Sequence, residues 1–398
     1  MRRLRRPRPL TIALCVLAPV LLVVGVWLGA NPQRLPGFIR PVFVDKQTQV
    51  LNDAYDLIQD DYVHKLPKGE LTDAAIKGMV ASLGDQFSNY FTPAEYKRYQ
   101  EVTESRFSGV GLSVVGVEQG LRVTRVYDGS PASRGGLKPG DLIVAVDGKT
   151  LKGVSEEAGV ARVKGPAGSD VELTLKRGGK TFDRTLTRAT VSIPVVESRM
   201  LKDDGRKVGY VALASFSSGS HGEVYAAVRK LRKRGAQALV FDLRGNPGGL
   251  VREAQLVASG FIPEGTIVST RGRAVQPETL QATGNPVAGK LPMVVLVDRG
   301  TASSAEIVTG ALKDTDRAEV VGTRTFGKGV FQEVVPLSNG GALDITVGQY
   351  FTPKGTNLGK GLKPGQGVHP EIRAEDDPKT APDEALQAGL KALAPSLQ

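Results

Sequence analysis

The tightest constraint on this chain lies between Leu291 and Leu312. Leu291–Asp298 (LPMVVLVD) is a short apolar, β-branched run that reads as a buried strand. Arg299, Gly300 and Thr301 turn the chain, and Ile307, Val308, Ala311 and Leu312 then share one face of a helix. Ser303 therefore stands at a strand-to-helix junction, where first-turn N–H groups point outward without partners. A nucleophile in that position has an oxyanion site beside it. Ser303 to Glu306 also fits the S-x-x-E capping box, and capping and catalysis use the same helix start.

Twenty-five positions on, Lys328 sits in a glycine-bounded turn, TFGKG. Gly322–Lys328 matches the first seven positions of a phosphate-binding loop, but Gly329 replaces the required hydroxyl and VFQEVVPL reads as a strand, which argues against nucleotide binding. The three histidines, His64, His221 and His369, have no local context for a Ser–His pair. Lysine can replace histidine as a base where desolvation lowers its pKa, and Phe326, Val330 and Phe331 are the expected apolar wall.

GTASSAEI followed by TFGKGVFQ resembles the active-site region of the C-terminal processing (tail-specific) peptidases, which use a serine–lysine dyad. The resemblance implies Ser303 as nucleophile, Lys328 as general base and Gln332 as the residue that orients the lysine. The family usually reads TASASE, so Ser304 and Ala305 are exchanged here, which adds a second hydroxyl. RGNPGGL, Arg244–Leu250, resembles the family's second glycine motif and implies an oxyanion hole from the N–H groups of Gly249 (Gly248 the fallback) and Ser304. No metal or cofactor is called for.

The N-terminus carries Arg2, Arg3, Arg5, Arg6 and Arg8 ahead of an uncharged apolar run, Leu10–Ala30, long enough to span a bilayer. The arginines predict a cytoplasmic N-terminus with the remainder exported, a signal-anchor rather than a cleaved signal, since Leu28-Gly29-Ala30 supplies only one of two small residues. Cys15, the only cysteine, lies in this run, so no intrachain disulfide exists. Of the net charge of +11, the five arginines account for nearly half; the rest is dispersed with few aromatics, against a nucleic-acid partner.

Residues 42–101 read as helical, broken and restarted at Thr92-Pro93, an N-cap followed by proline at N1. They resemble the small N-terminal region of the same peptidases, with packing or dimerisation the expected role. Residues 108–188 alternate as strands at Leu121–Tyr127, Leu142–Val146, Val171–Lys176 and Thr181–Thr187. GSPASRGGLKPGDLIVAVDGKTL resembles a PDZ domain of the bacterial protease type. That implies a carboxylate-binding loop at Gly109-Val110-Gly111-Leu112 and a peptide added as a strand to the sheet edge.

Val208–Leu213, Gly222–Arg234 and Ala238–Leu243 repeat strand, helix, strand, and with Val294–Val297 imply an α/β core. Pro263–Pro292 reads as a flexible ribbon or lid, Gly341–Phe351 as a strand, Gly367–Ile372 as a short final one, and Ala374–Gln398 as a polar tail with a weak helix.

The expected whole is multidomain α+β: a basic segment, transmembrane anchor and linker (1–41), a helical region (42–101), a PDZ domain (102–188), a crotonase- and Clp-protease-like α/β peptidase core (189–376) and a tail (377–398). The expected function is a membrane-tethered, exported bacterial serine endopeptidase that cleaves proteins with free apolar C-termini. It acts alone, as a homo-oligomer or with an adaptor. The alternative is a non-catalytic PDZ scaffold or chaperone on a peptidase-like fold; a third reading, an acyl-CoA enzyme sharing the oxyanion architecture, would need neither the PDZ module nor the export segment.

Overall fold

The computed structural model describes residues 46–284, 286–377, 379–380 and 382–397, with two isolated positions, 20 and 25. The expected anchor and linker lie outside these residues. Among the described residues no helix is long and apolar enough to cross a membrane. The described residues divide into two units, one up to Met79 and one from Val80 onward. In the first, α1 (Lys46–Asp61) has no buried residue and leaves Val50, Leu51, Leu57 and Ile58 exposed. Its Tyr55 hydroxyl lies 3.3 Å from Thr72 Oγ1 in α2 (Glu70–Ala81).

The second unit opens with β1 (Asn89–Phe91) and α3 (Pro93–Thr103). Thr92 caps α3 with Pro93 at N1, and Glu95 closes the box by accepting from Thr92 N–H at 2.8 Å, as the Thr-Pro pair predicts. The PDZ-like module follows: β2 (Arg106–Gly109), β3 (Leu112–Val117), β4 (Gly120–Val126), the short α4 (Pro131–Arg134), β5 (Leu142–Val146), β6 (Lys149–Thr150), α5 (Glu156–Val163), β7 (Asp170–Arg177), β8 (Lys180–Thr187) and β9 (Ala189–Ser192). Its antiparallel sheet runs β3-β4-β5-β7-β8 and closes over a core of Leu121, Val123, Ile143, Leu151, Leu173 and Leu175. β3 is an edge strand, and β2 pairs with β9 to close the module's two ends together.

The α/β part starts with the hairpin β10 (Val196–Asp203) and β11 (Arg206–Leu213), then α6 (Ser220–Lys233), β12 (Ala238–Asp242) and α7 (Val251–Ser259). β13 (Thr266–Gly272) and β14 (Glu278–Gln281) precede β15 (Met293–Val297), α8 (Ser304–Asp314) and β16 (Glu319–Gly322). β17 (Val330–Pro336), β18 (Ala342–Phe351), β19 (Ile372–Arg373) and α9 (Glu384–Leu393) complete the chain. One sheet runs β10-β11-β12-β15-β16-β19, parallel from β11 onward. Every residue of β12 and β15 is buried, as expected of strands covered on both faces. Val224, Val228 and Leu231 of α6, with residues of α7 and α8, cover one face. Leu386, Leu390 and Leu393 of α9 pack against the other, so the expected weak tail helix is part of the core.

A second sheet, β1-β18-β13-β14 with β17 on β18, carries half of the site. The expected ribbon at 263–292 is instead the β13–β14 hairpin, fixed at Ser269–Gly272 to β18. Thr266–Thr270 reads as strand-like in the sequence and lies within β13; the polar stretch after it hid β14 and the pairing, which a bulge between Thr266 and Val268 makes irregular. The final strand is also shorter and later than read, Ile372–Arg373 rather than Gly367–Ile372.

Candidate active site

β15 delivers the chain to Asp298, whose Oδ1 accepts the N–H groups of Gly245 (2.8 Å), Gly300 (2.9 Å) and Thr301 (3.0 Å). One carboxylate thus ties the RGNPGG turn to the turn ahead of α8. Ala302 N–H donates to the Asn246 carbonyl at 2.9 Å, and buried Asn246 donates to Leu213 O at 2.8 Å. These bonds over-determine Ser303, which is held at φ 54°, ψ −119°. A serine there costs on the order of 1–3 kcal/mol, which the surrounding bonds offset. Ser303 caps α8 without a side-chain cap hydrogen bond; its N–H donates to Glu306 at 3.0 Å.

The oxyanion candidates separate clearly. Gly248 N–H is committed to the Asn246 side chain at 2.8 Å. The N–H groups of Gly249 and Ser304 take no hydrogen bond among the described residues. Ser304 Oγ donates to the Gly249 carbonyl at 2.8 Å, so the additional hydroxyl is spent on holding the two donors at a fixed separation. Gly248, at φ 101°, serves by being small: a Cβ there would stand 2.8 Å from both Ala302 O and Ser303 Cβ.

Glu306, fully buried on α8, clamps the lysine turn to the serine turn. Its carboxylate accepts from Thr325 Oγ1, from Gly327 N–H at 2.7 Å and from Lys328 N–H at 2.9 Å, besides Ser303 N–H. Burial pushes this carboxyl up, and the four donors pull it back. Buried Tyr350 of β18 donates to the Lys328 carbonyl and lies 3.5 Å from that of Ser303. Its phenol is held well above its ordinary pKa by burial and by Glu306, so it stays a donor.

Ser303, Lys328, Gln332 and Gly249 line one cavity of about 300 Å³, together with Tyr99 and Val102 of α3, Phe216, Leu250, Phe331 and Asp344; Ser304 lies behind it. No histidine lines it; His221 is bound to Glu253 at 2.8 Å. Burial drives the Lys328 amine below its ordinary value, while Asp344, Asp85 and Glu306 pull the other way. Lys328 Nζ donates to Gln332 Oε1 at 2.5 Å. Of the expected apolar wall, Val330 is buried and Phe331 lines the cavity, but Phe326 is exposed. The aromatic face over the amine is Phe87, 5.1 Å from Nζ to ring centre, brought in by the loop ahead of β1. Sequence reasoning missed Phe87 and Asp85 because they lie more than two hundred residues from Lys328 and no local pattern joins them.

In the PDZ-like module, the Val110 carbonyl accepts from Ala132 N–H (2.8 Å) and that of Gly111 from Tyr127 N–H (3.1 Å). The N–H groups of Val110 and Gly111 take no hydrogen bond among the described residues. Gly111 has φ 86°, and a Cβ there would meet Ser130 Cβ at 2.2 Å, so only glycine fits. Gly109–Leu112 line a cleft of about 40 Å³ with Phe107, Val114 and Lys164. Beyond it Glu156, at the head of α5, accepts Gly116 N–H of β3 at 2.7 Å. α3 joins the two sites: its Glu101 pairs with Lys164 at 2.6 Å, while Tyr99 and Val102 line the larger cavity.

Family models match along the chain: peptidase family S41 at residues 207–373, the PDZ domain at 101–176, and the N-terminal domain of the activating protease CtpB at 40–94. The chain is 36% identical over 387 residues to a carboxyl-terminal-processing protease of Synechocystis, covering 92% of this chain and 90% of the relative. It is 35% identical to the carboxy-terminal processing protease CtpA of Bacillus subtilis, covering 83% and 70%. A solved putative S41 protease from Bacteroides fragilis shares the fold at TM-score 0.50 and 19% identity, covering 86% of this chain and 97% of that one. The chain is thus a serine-type peptidase with a PDZ domain, and it belongs to peptidase family S41, among the carboxyl-terminal processing proteases.

Proposed function

We propose that this hydrolase cleaves polypeptides near a free C-terminus by a Ser303–Lys328 dyad. The observation that carries the reading is a desolvated amine and a strained, helix-leading serine lining one cavity, with the unspent N–H groups of Gly249 and Ser304 at the serine's turn. Neutral Lys328 takes the Ser303 hydroxyl proton as Oγ attacks the scissile carbonyl. Gly249 and Ser304 N–H groups hold the oxyanion, each worth about 3 kcal/mol of barrier. The ammonium then returns the proton to the leaving amine, and the same lysine activates the water that releases the acyl group. Tyr99, Val102, Phe216, Leu250 and Phe331 favour an apolar residue before the scissile bond.

In this reading the substrate carboxylate docks at Gly109–Leu112 and its last residues add to β3. The apolar run Leu10–Ala30 tethers the enzyme to a bacterial membrane, with the catalytic part on the outer side. The test is casein cleavage and labelling by a fluorophosphonate. Wild type should show both; Ser303→Ala and Lys328→Ala should each lose at least about 10³-fold in kcat. Cleavage that survives either change rejects the dyad.

A further inference from the structure

The acids around the dyad differ in what they already hold. Asp85 accepts from Ser88 Oγ at 2.5 Å and from Phe87 N–H at 3.0 Å, and it does not line the catalytic cavity. Glu306 is fully buried and accepts four donors. Asp344 is half-buried on β18 and is the one carboxylate among the described residues that line the cavity. It takes no side-chain hydrogen bond and no direct ion pair among the described residues. Such a group gives up water on burial without a protein donor in return, and a bound donor recovers that cost. The register places it: β17 and β18 pair Gln332 with Thr346 and Val334 with Asp344. Asp344 therefore shares a sheet face with Gln332, whose Oε1 accepts from Lys328 Nζ at 2.5 Å, and lies one pleat repeat, about 7 Å, further along.

We propose that Asp344 is a specificity-determining residue, which takes a cationic substrate side chain, lysine or arginine, within two residues of the bond that Ser303 cleaves. The inference rests on this cavity being the catalytic one. An extended substrate spaces the side chains of one face by the same repeat that separates Asp344 from the Gln332 row, so a residue next to the scissile bond or one further on reaches the carboxylate. Tyr99, Val102 and Val334, on the same cavity wall, suit the methylene stem of such a residue while its charged head meets Asp344.

The titratable groups facing Asp344 are Lys328 of the turn before β17, Asp85 of the loop ahead of β1 and Tyr99 of α3. Lys328 is a counter-charge only while protonated, and the dyad uses it neutral. In the working enzyme Asp344 is thus a carboxylate without a counter-charge on the cavity wall, and a substrate cation supplies one. Burial raises this carboxyl to about 6, so the attraction is switched off in acid.

Wild type, Asp344→Asn and Asp344→Lys should be assayed as full-length enzyme, with Ser303→Ala beside them, on internally quenched peptides with a free apolar C-terminus. The peptides differ only in carrying lysine, norleucine or glutamate at one of the two positions on either side of the scissile bond. At one position wild type should prefer lysine to norleucine in kcat/KM on the order of 10- to 100-fold, with glutamate below both. A ratio taken at one pH cancels the ionisation of Lys328, since kcat/KM reports the free enzyme. That ratio should fade as pH falls through about 6, where Asp344 gains its proton. Asp344→Asn should bring it near one, and Asp344→Lys should favour glutamate. A wild-type ratio near one at every position overturns the inference, as does a lysine preference that Asp344→Asn retains. If neither variant folds, wild type decides: a ratio that is the same on both sides of pH 6 overturns it. Inactive Ser303→Ala beside any of these results overturns the specificity alone. Cleavage of the same peptides by Ser303→Ala overturns the catalytic cavity and the specificity together.

Discussion

Ser303 keeps its φ of 54° only because Asp298, Asn246 and Glu306 fix the backbone on either side of it. Gly248 is the residue against which that elbow is built. Gly248→Ala would force a Cβ at φ 101° to within 2.9 Å of Ser304 N. Since the obstacle is backbone, the elbow must move, and a displacement near 1 Å costs about 10²-fold in rate. Peptidase kcat should fall that far while KM changes little; unchanged kcat would mean the elbow yields freely. Asp344 is the titrating neighbour. Burial pushes its carboxyl up to about 6, with Lys328 opposing and Asp85 adding. A carboxyl raised in the folded state costs stability as pH rises beyond the ordinary carboxylate range, and the cost is complete above its folded value. Asp344→Asn should therefore raise the melting temperature above pH 6 and leave it unchanged near pH 4. Its loss also removes a charge that favours protonated Lys328, so the rising limb of kcat/KM should move to lower pH.

At the level of elements, β3 decides whether the PDZ groove is open. An exposed strand edge invites pairing. Here Glu156 occupies the Gly116 N–H, and the cleft over Gly109–Leu112 is narrow, about 40 Å³. A bound strand must displace that carboxylate or stop short of it. Glu156→Ala should tighten binding of an apolar C-terminal peptide, measured by fluorescence anisotropy, by a factor of about 3–10, the worth of a charge-assisted hydrogen bond at an exposed edge. Weaker binding would assign Glu156 to the peptide instead. A peptide with an amidated C-terminus should bind neither form.

At the level of the whole molecule, Arg244 fastens the C-terminal helix to the sheet that bears the site. It donates to Asp242 at 2.6 Å, to Asp376 at 2.6 Å and to Asp383 at 2.8 Å. Asp383 also caps α9, and Tyr210 donates to Asp242 at 2.7 Å. Arg244→Met would strand the nearly buried Asp242 carboxylate. Removing one partner of such a pair costs about 3–5 kcal/mol. The melting temperature should fall and proteolysis should begin at the C-terminal segment; an unaltered melting temperature would mean that packing of Leu386, Leu390 and Leu393 holds the helix alone.

What the chain carries locally was legible without coordinates. The apolar run Met293–Val297 and the glycine turn after it specify a strand and a turn, and the Thr92-Pro93 pair marks a helix start, because each signal lies within a few residues of the element it forms. Ser303, Lys328 and the Gly248-Gly249 turn stand out in sequence for the same reason: each is tied to a local change of backbone direction. The tertiary structure decided the rest. It brought Phe87 and Asp85 to the amine through β1 pairing, turned Phe326 outward, made a hairpin of the irregular 263–292 segment and packed α9 as core. It also committed the Gly248 N–H to Asn246 and left that of Gly249, the glycine assigned from the sequence, unspent. These outcomes depend on which distant groups desolvate or hydrogen-bond one another, and burial by remote segments leaves no periodic mark on the residues it touches.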